Sequence, residues 1–222
     1  SREKLCNRRR MKARDSLIMS KKIITISRQY GSGGRLIAQR LSEKLGVPFY
    51  DRALIEMAAK ESGYEAELFE NLGEQHNSNW FYNLSLFGNS TAMQDLPLND
   101  KIFLAQASVI RKVADQGSCV IVGRCADYVL RDRKDCVNVF IHSDLTSRIK
   151  RATEQYGLSP AKAGDEINKI DKQRATYYRY YSEKKWGRAE NYDLSVYSDS
   201  IGLEACTDLI LSFVDMKLSH HD

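Results

Sequence analysis

A chain of 222 residues with 42% hydrophobic and 28% charged side chains is long enough to bury one sizeable core and has the composition of an ordinary globular domain. It holds no run near the ~20 apolar residues that a membrane span needs, and its first twenty residues lack the apolar core and small-residue cleavage site of a secretory signal. Seven of the 34 Lys and Arg but only two of the 29 Asp and Glu lie in residues 1–20, so this arm accounts for the whole net charge of +5. The rest balances to zero, a poor footing for nucleic-acid affinity, which needs many phosphate-neutralising cations. The arm reads as a solvated tail, disordered or non-native, with Met11 and Met19 as alternative starts, and one domain is expected over 21–222. Cys6, Cys119, Cys125, Cys136 and Cys206 are odd in number and form no Cys-x-x-Cys pair. Reduced thiols in a cytoplasm are therefore expected, with no disulfide framework and no metal site.

In chain order, residues 22–27 are a β-branched run of the kind that becomes a buried parallel strand. A glycine cluster follows, then Leu36, Ile37, Leu41 and Leu45 at helical spacing, stopped by Gly46. Val47–Tyr50 predicts a second strand ending on Asp51, and residues 53–62 a helix. From about Tyr64 to Asp100 the pattern weakens into a segment rich in Asn, Ser and aromatic residues, read as an insertion. Asn99 or Asp100 is a candidate cap for a helix with Ile102, Ala105, Val109 and Val113 on its apolar face, ended by Gly117. Strands are predicted at Cys119–Val122, Val137–Ile141 and Asp193–Tyr197. Helices are predicted from the Asp144 cap to about Tyr156, over 160–182, and over Leu203–Leu218. Strands alternating with helices imply an α/β fold, a parallel sheet with helices on both faces, whose ligand lies beyond the C-terminal strand ends. Those ends carry Ser27-Arg28, Asp51-Arg52, Gly123-Arg124 and His142-Ser143-Asp144, so polar and basic groups converge on one rim.

The sharpest signal is Ser27-Arg28-Gln29-Tyr30-Gly31-Ser32-Gly33-Gly34-Arg35, between the first strand and the first helix. Glycines at 31, 33 and 34 let backbone N–H groups turn inward without Cβ obstruction. The helix N-terminus adds unpaired donors and partial positive charge, so a phosphate is favoured there over an empty turn. The loop departs from the Gly-Lys-Ser/Thr phosphate-loop consensus: the lysine position falls on Gly34, or on Arg35 in the shifted register, and the hydroxyl position on Arg35 or Leu36. Arg35 supplies positive charge bidentately, as a guanidinium in place of an ammonium. The candidate phosphate-binding set is Arg28, Gly31, Ser32, Gly33, Gly34, Arg35 and Leu36.

This loop, together with Leu45-Gly-Val-Pro-Phe-Tyr-Asp51, Val120-Ile-Val-Gly-Arg124, Val139-Phe-Ile-His142, Ile167–Tyr181, Trp186-Gly187 and Asn191-Tyr-Asp-Leu194, resembles the cytidylate kinase-like family over about residues 22–215. The resemblance implies a three-layer P-loop NTPase fold with a five-stranded parallel sheet, a helical lid over about 145–188 and a small acceptor-binding insertion over about 64–100. It further implies ATP, with Mg²⁺, as phosphoryl donor and a small-molecule phosphate acceptor, a nucleoside monophosphate first. Gly123-Arg124 resembles the Gly-Arg whose arginine contacts the monophosphate. Cytidylate kinases usually place Asp directly after it to read the base, whereas here Cys125 stands there and Asp127 comes three residues after Arg124. A structural ion pair is the other reading of Arg124. Asp51 stands where related kinases hold an acid near substrate or Mg²⁺, and equally reads as an N-cap.

In helix 160–182, Asp171, Arg174 and Tyr178 share one face. The stretch resembles a lid whose arginines close over the transferring phosphoryl group, with Arg174 and Arg179 as candidates and Arg148 and Arg151 contributed by the preceding helix. The alternative is a solvated face with its tyrosines packed on the core. Candidate catalytic residues are thus Arg35, Asp51, Arg174 and Arg179, and candidate acceptor-binding residues Asp51, Arg52, Arg124 and Asp127. Trp80, Phe81, Tyr82 and Phe87 stack on a base or close a cap, and His220-His221 reads as tail. A phosphotransferase is expected first. The alternative is a non-catalytic nucleotide- or phosphate-binding regulator with a degenerate loop.

Overall fold

Strand β1 (Ile23–Arg28) is buried on both faces from Ile23 to Ser27, which demands a central place with helices above and below. The computed structural model, which describes residues 21–63 and 96–219, puts it there. Five strands follow the order β2-β3-β1-β4-β5, where β2 is Phe49–Tyr50, β3 Cys119–Val122, β4 Cys136–His142 and β5 Leu194–Tyr197. All pairings are parallel: Ile24 lies opposite Val120 on one side and Val137 on the other. The expected tail (1–20), the insertion with its four aromatics and His220-His221 lie outside the described residues.

Alternation along the strands splits the core into two layers. Ile23, Cys119, Ile121 and Cys136 face the helices α2 (Ala53–Ser62) and α3 (Leu98–Gln116). Ile24, Ile26, Val120, Val122, Val137, Val139 and Ile141 face α1 (Gly34–Leu45) and α7 (Ser198–Ser219). Each fully buried aliphatic side chain stabilises the sandwich by about 2 kcal/mol. Short α4 (Ala126–Val129) follows β3, and α5 (Leu145–Tyr156) and α6 (Ala163–Ser182) form the hairpin between β4 and β5. A 3₁₀ turn, Ala189–Asn191, precedes β5.

The capping expectations divide. Asp144 caps α5, its carboxylate accepting from the Ser147 N–H at 2.8 Å, and Gly46 and Gly157 end α1 and α5 in left-handed conformation. Helix α3, by contrast, starts after Pro97, so Asn99 and Asp100 sit inside its first turn. Asp51 is not an N-cap: Arg52 holds that position of α2 and makes no side-chain capping bond. Helix α7 takes in residues 198–201 before Gly202 (φ 78°, ψ 166°) kinks it, so the predicted start at Leu203 is the start of its straight part.

Of the five cysteines, the four described are buried and unbridged, and burial pushes the Cys119 thiol up to about 11. Among the described residues no helix is long and apolar enough to cross a membrane, and no three His, Cys, Asp or Glu side chains cluster as metal ligands.

Candidate active site

The chain leaves β1 toward β2 on one side of the sheet, then returns through β3 to β4 on the other, so the order of strands reverses at β1. A crevice opens beyond the C-terminal end of the strand at such a reversal. Residues Gln29–Gly33 occupy it. The Ser32 N–H donates back to the Gln29 carbonyl (3.3 Å), closing a four-residue turn with Gly31 at its third position, where φ of 77° is required. Gly33 follows at φ 83° as the N-cap of α1. Two left-handed glycines around Ser32 give the alternation that turns successive amides toward one point.

Among the described residues, the amides of Gly31, Gly33, Arg35 and Leu36 donate to no protein acceptor. They face the space ahead of α1, where the helix dipole adds positive potential. Gly34 is glycine for want of room: a Cβ there would lie 2.5 Å from Cβ of Arg28. The nest opens on a cavity of about 310 Å³ lined by Arg28, Gly31, Gly33, Gly34, Arg35 and Arg174, with Tyr30 and Tyr156 as an aromatic wall. Those two rings meet edge to face at 5.6 Å, and the Arg174 guanidinium lies 5.6 Å from the Tyr30 ring centre. Volume and lining suit a small anionic ligand.

A second, smaller cavity of about 20 Å³ lies behind the loop, between Ser27, Arg124, Cys125, Tyr177, Tyr178 and Trp186. Arg28 and Arg174 line both cavities. The turn after β3 is strained: Gly123, Arg124 and Cys125 are all left-handed, at φ 72°, 57° and 53°. Two consecutive non-glycine residues in that region cost roughly 1–2 kcal/mol each, a kind of strain that concentrates at binding sites. It brings the Arg124 Nη1 into the protein, where it is buried without a hydrogen-bond partner. A buried guanidinium N–H left unpaired costs free energy until an anion satisfies it.

The remaining sequence-predicted residues are placed as follows. Arg35 lies at the cavity mouth, half exposed, with its Nε 2.6 Å from Asp51 Oδ2 and its guanidinium 5.8 Å from the Phe49 ring centre. Asp51 is thus the acid that pairs with Arg35. Ser32 is fully buried, its hydroxyl and its N–H both donating to the Gln29 carbonyl, at 2.8 and 3.3 Å, so it serves the turn that presents its neighbours' amides. Leu36 offers its amide alone. Arg52 is exposed and lines neither cavity. Arg179, expected beside Arg174, is exposed and also lines neither: five residues of helix rotate it away from the loop.

Asp127 is 5% exposed and lies behind the second cavity, accepting from the Tyr178 hydroxyl at 2.7 Å. Burial lifts its carboxyl to about 6, against the lowering effect of that bond. It lines neither cavity, and its carboxylate accepts from Tyr178, which forms part of the wall. Sequence reasoning missed Tyr30, Tyr156 and Trp186 as lining residues. Tyr30 stood inside the quoted loop, yet only the packing of α5 and α6 shows which way its ring turns.

The model of the cytidylate kinase-like family matches residues 23–200. Among solved structures, an uncharacterized protein from Eubacterium ventriosum ATCC 27560 is similar at 29% identity and a TM-score of 0.67, covering 88% of this chain and 99% of that one. A shikimate kinase from Bacteroides thetaiotaomicron shares the fold at 14% identity and a TM-score of 0.54, over 87% and 98% of the two chains. No curated protein matches.

Proposed function

The chain belongs to the cytidylate kinase-like family, and on that premise we propose that it is an ATP-dependent phosphotransferase whose acceptor is a small anionic molecule, a nucleoside monophosphate first. One observation carries the reading: Arg28 and Arg174 line both the cavity at the glycine nest and the smaller one holding Arg124. A phosphoryl group passing from one cavity to the other would move past Arg174. Phosphoryl transfer is catalysed mainly by alignment and by neutralising charge on the transferring oxygens, which is what guanidinium groups at that point supply.

The roles follow from position. Free amides at Gly31, Gly33, Arg35 and Leu36 take phosphate oxygens, and Arg35 adds charge where the consensus has lysine. The unpaired Nη1 of Arg124 takes an acceptor oxyanion. Asp51 is the carboxylate paired with Arg35 at the mouth of the cavity, so the residues fit a Mg²⁺ that arrives on the triphosphate and keeps most of its waters. The ion would supply further charge neutralisation. Tyr30 and Tyr156 offer faces and edges for a nucleobase or ribose.

ADP formation over a panel of nucleoside monophosphates and small hydroxy acids tests this. One acceptor should raise ADP output well above the background ATPase rate, and Arg174→Met should abolish that increase. A second reading, a nucleotide-sensing protein without catalysis, is favoured by Leu36, an apolar residue where the consensus has a metal-binding hydroxyl. ATP binding that Mg²⁺ does not strengthen, with no turnover on any acceptor, would select it.

A further inference from the structure

The hairpin of α5 and α6 does more than line the cavity: it is bonded to the backbone of the loop at four points. Asp171 Oδ1 accepts from the Tyr30 N–H at 2.8 Å. Arg148 Nε donates to the Tyr30 carbonyl at 2.7 Å. Arg151 donates to the Gly31 carbonyl, and Arg174 to the Arg28 carbonyl at 3.1 Å. The first two bonds close into a ring, because Arg148 Nη2 also donates to Asp171 Oδ2. Both side chains are buried, at 7% and 15% exposure.

A trans peptide is planar, with its N–H antiparallel to its C=O. Fixing the Tyr30 carbonyl on Arg148 therefore points the Gly31 N–H the opposite way, toward the cavity. That amide has no partner among the described residues. Packing enforces the same geometry, since a Cβ on Gly31 would lie 2.7 Å from the Arg148 carbonyl oxygen. A buried ion pair is weak evidence for stability as such, because desolvation offsets much of its attraction. One that encircles a single residue of a ligand loop fixes direction.

We propose that Arg148 and Asp171 are positioning residues for the phosphate loop, their ring through Tyr30 setting the Gly31 amide before any ligand arrives. The same bonds tie the α5–α6 hairpin to the nest, so occupancy of the nest and the position of the hairpin are coupled. This rests on the nest binding phosphate, as argued above.

The test uses the full chain, inorganic pyrophosphate as probe and two variants. Asp171→Asn keeps the shape and an acceptor for Tyr30 N–H but removes the charge that holds Arg148. Arg151→Met cuts only the tie to Gly31, from a partly exposed position that leaves the fold intact. Calorimetry should give a Kd for pyrophosphate raised about tenfold in Asp171→Asn and somewhat less in Arg151→Met. Hydrogen exchange at Gly31 and Ser32 should quicken, and KM for ATP should rise with kcat little changed. Asp135→Asn, in the Arg133 ion-pair cluster at the other end of the sheet, should leave all three readings as they are. If both loop variants lose thermal stability yet bind pyrophosphate as the wild type does, the ring is structural and the proposal is wrong. Should the wild type itself bind no pyrophosphate or ATP, the phosphate reading of the nest falls and this one with it.

Discussion

Replacing Gly31 by Ala puts two separable loads on the loop. The residue sits at φ 77°, where an L side chain costs roughly 1–2 kcal/mol. Its new Cβ would lie 2.7 Å from the Arg148 carbonyl oxygen and 3.1 Å from the carbonyl carbon. Both are backbone atoms of a residue that the ring with Asp171 and Tyr30 holds in place, so the loop must move by several tenths of an ångström. Overpacking of that kind costs about 1–3 kcal/mol. Gly46→Ala is the matched control: φ is 64°, nothing lies within 4 Å of its Cβ, and only the conformational load applies.

Where the loop holds its shape, the extra load appears as lost stability. Where the loop yields, it appears as lost phosphate affinity. Denaturant unfolding and pyrophosphate calorimetry on both variants give the two losses. Their sum should be larger for Gly31→Ala by at least about 1 kcal/mol, equivalent to five- to tenfold in Kd if all of it falls on binding. Equal sums for the two variants would refute the claim that Arg148 fixes the backbone of the loop.

Further predictions concern the charged groups. Asp127 has a folded-state pKa of about 6 against 3.8 for the free side chain, so the folded state holds its proton more tightly. Its contribution is most favourable below about pH 4 and is lost as pH rises through 6, a swing of roughly 3 kcal/mol. Unfolding curves of wild type and Asp127→Asn across that range should diverge accordingly; parallel curves would contradict it. Arg35→Ala should cost under about 1 kcal/mol of stability, because its pair with Asp51 is half exposed. The same change should weaken ATP binding about tenfold or more by calorimetry, if its guanidinium meets phosphate. Arg124→Met should raise KM for the acceptor while leaving ATP affinity alone. It should not lower the melting temperature, since it removes a buried unpaired donor.

The centre of the sheet was legible because its strands are buried on both faces and rich in β-branched residues, as in Cys119–Val122, whose bounds match the sequence reading. Terminators were legible where glycine acts by conformation, as at Gly46 and Gly157. Capping misled at Asn99 and Asp100 because the helix opens earlier, at Leu98, with Pro97 (φ −52°, ψ 145°) as an N-cap that offers no side-chain bond. The loop was legible as glycine spacing between a strand and a helix.

What stayed hidden was the use made of the arginines. Arg148, Arg151, Arg174 and Arg179 look alike in a string, and their roles are set by the turn of helix each sits on against the loop. Three reach loop carbonyls, and the fourth points to solvent. Likewise nothing local marks Arg124 as left-handed. That conformation belongs to the turn at the exit of β3, where Gly123, Arg124 and Cys125 are left-handed in succession.

Titration of ¹⁵N-labelled protein with MgATP, followed through the backbone amide resonances, tests the phosphate site most directly. Gly31, Gly33, Arg35 and Leu36 should shift downfield together, saturating with one Kd, while the amides of Ser32 and Tyr30, already donating to Gln29 and Asp171, move little. ATP binding that leaves those four resonances in place would put the nucleotide elsewhere and contradict the account.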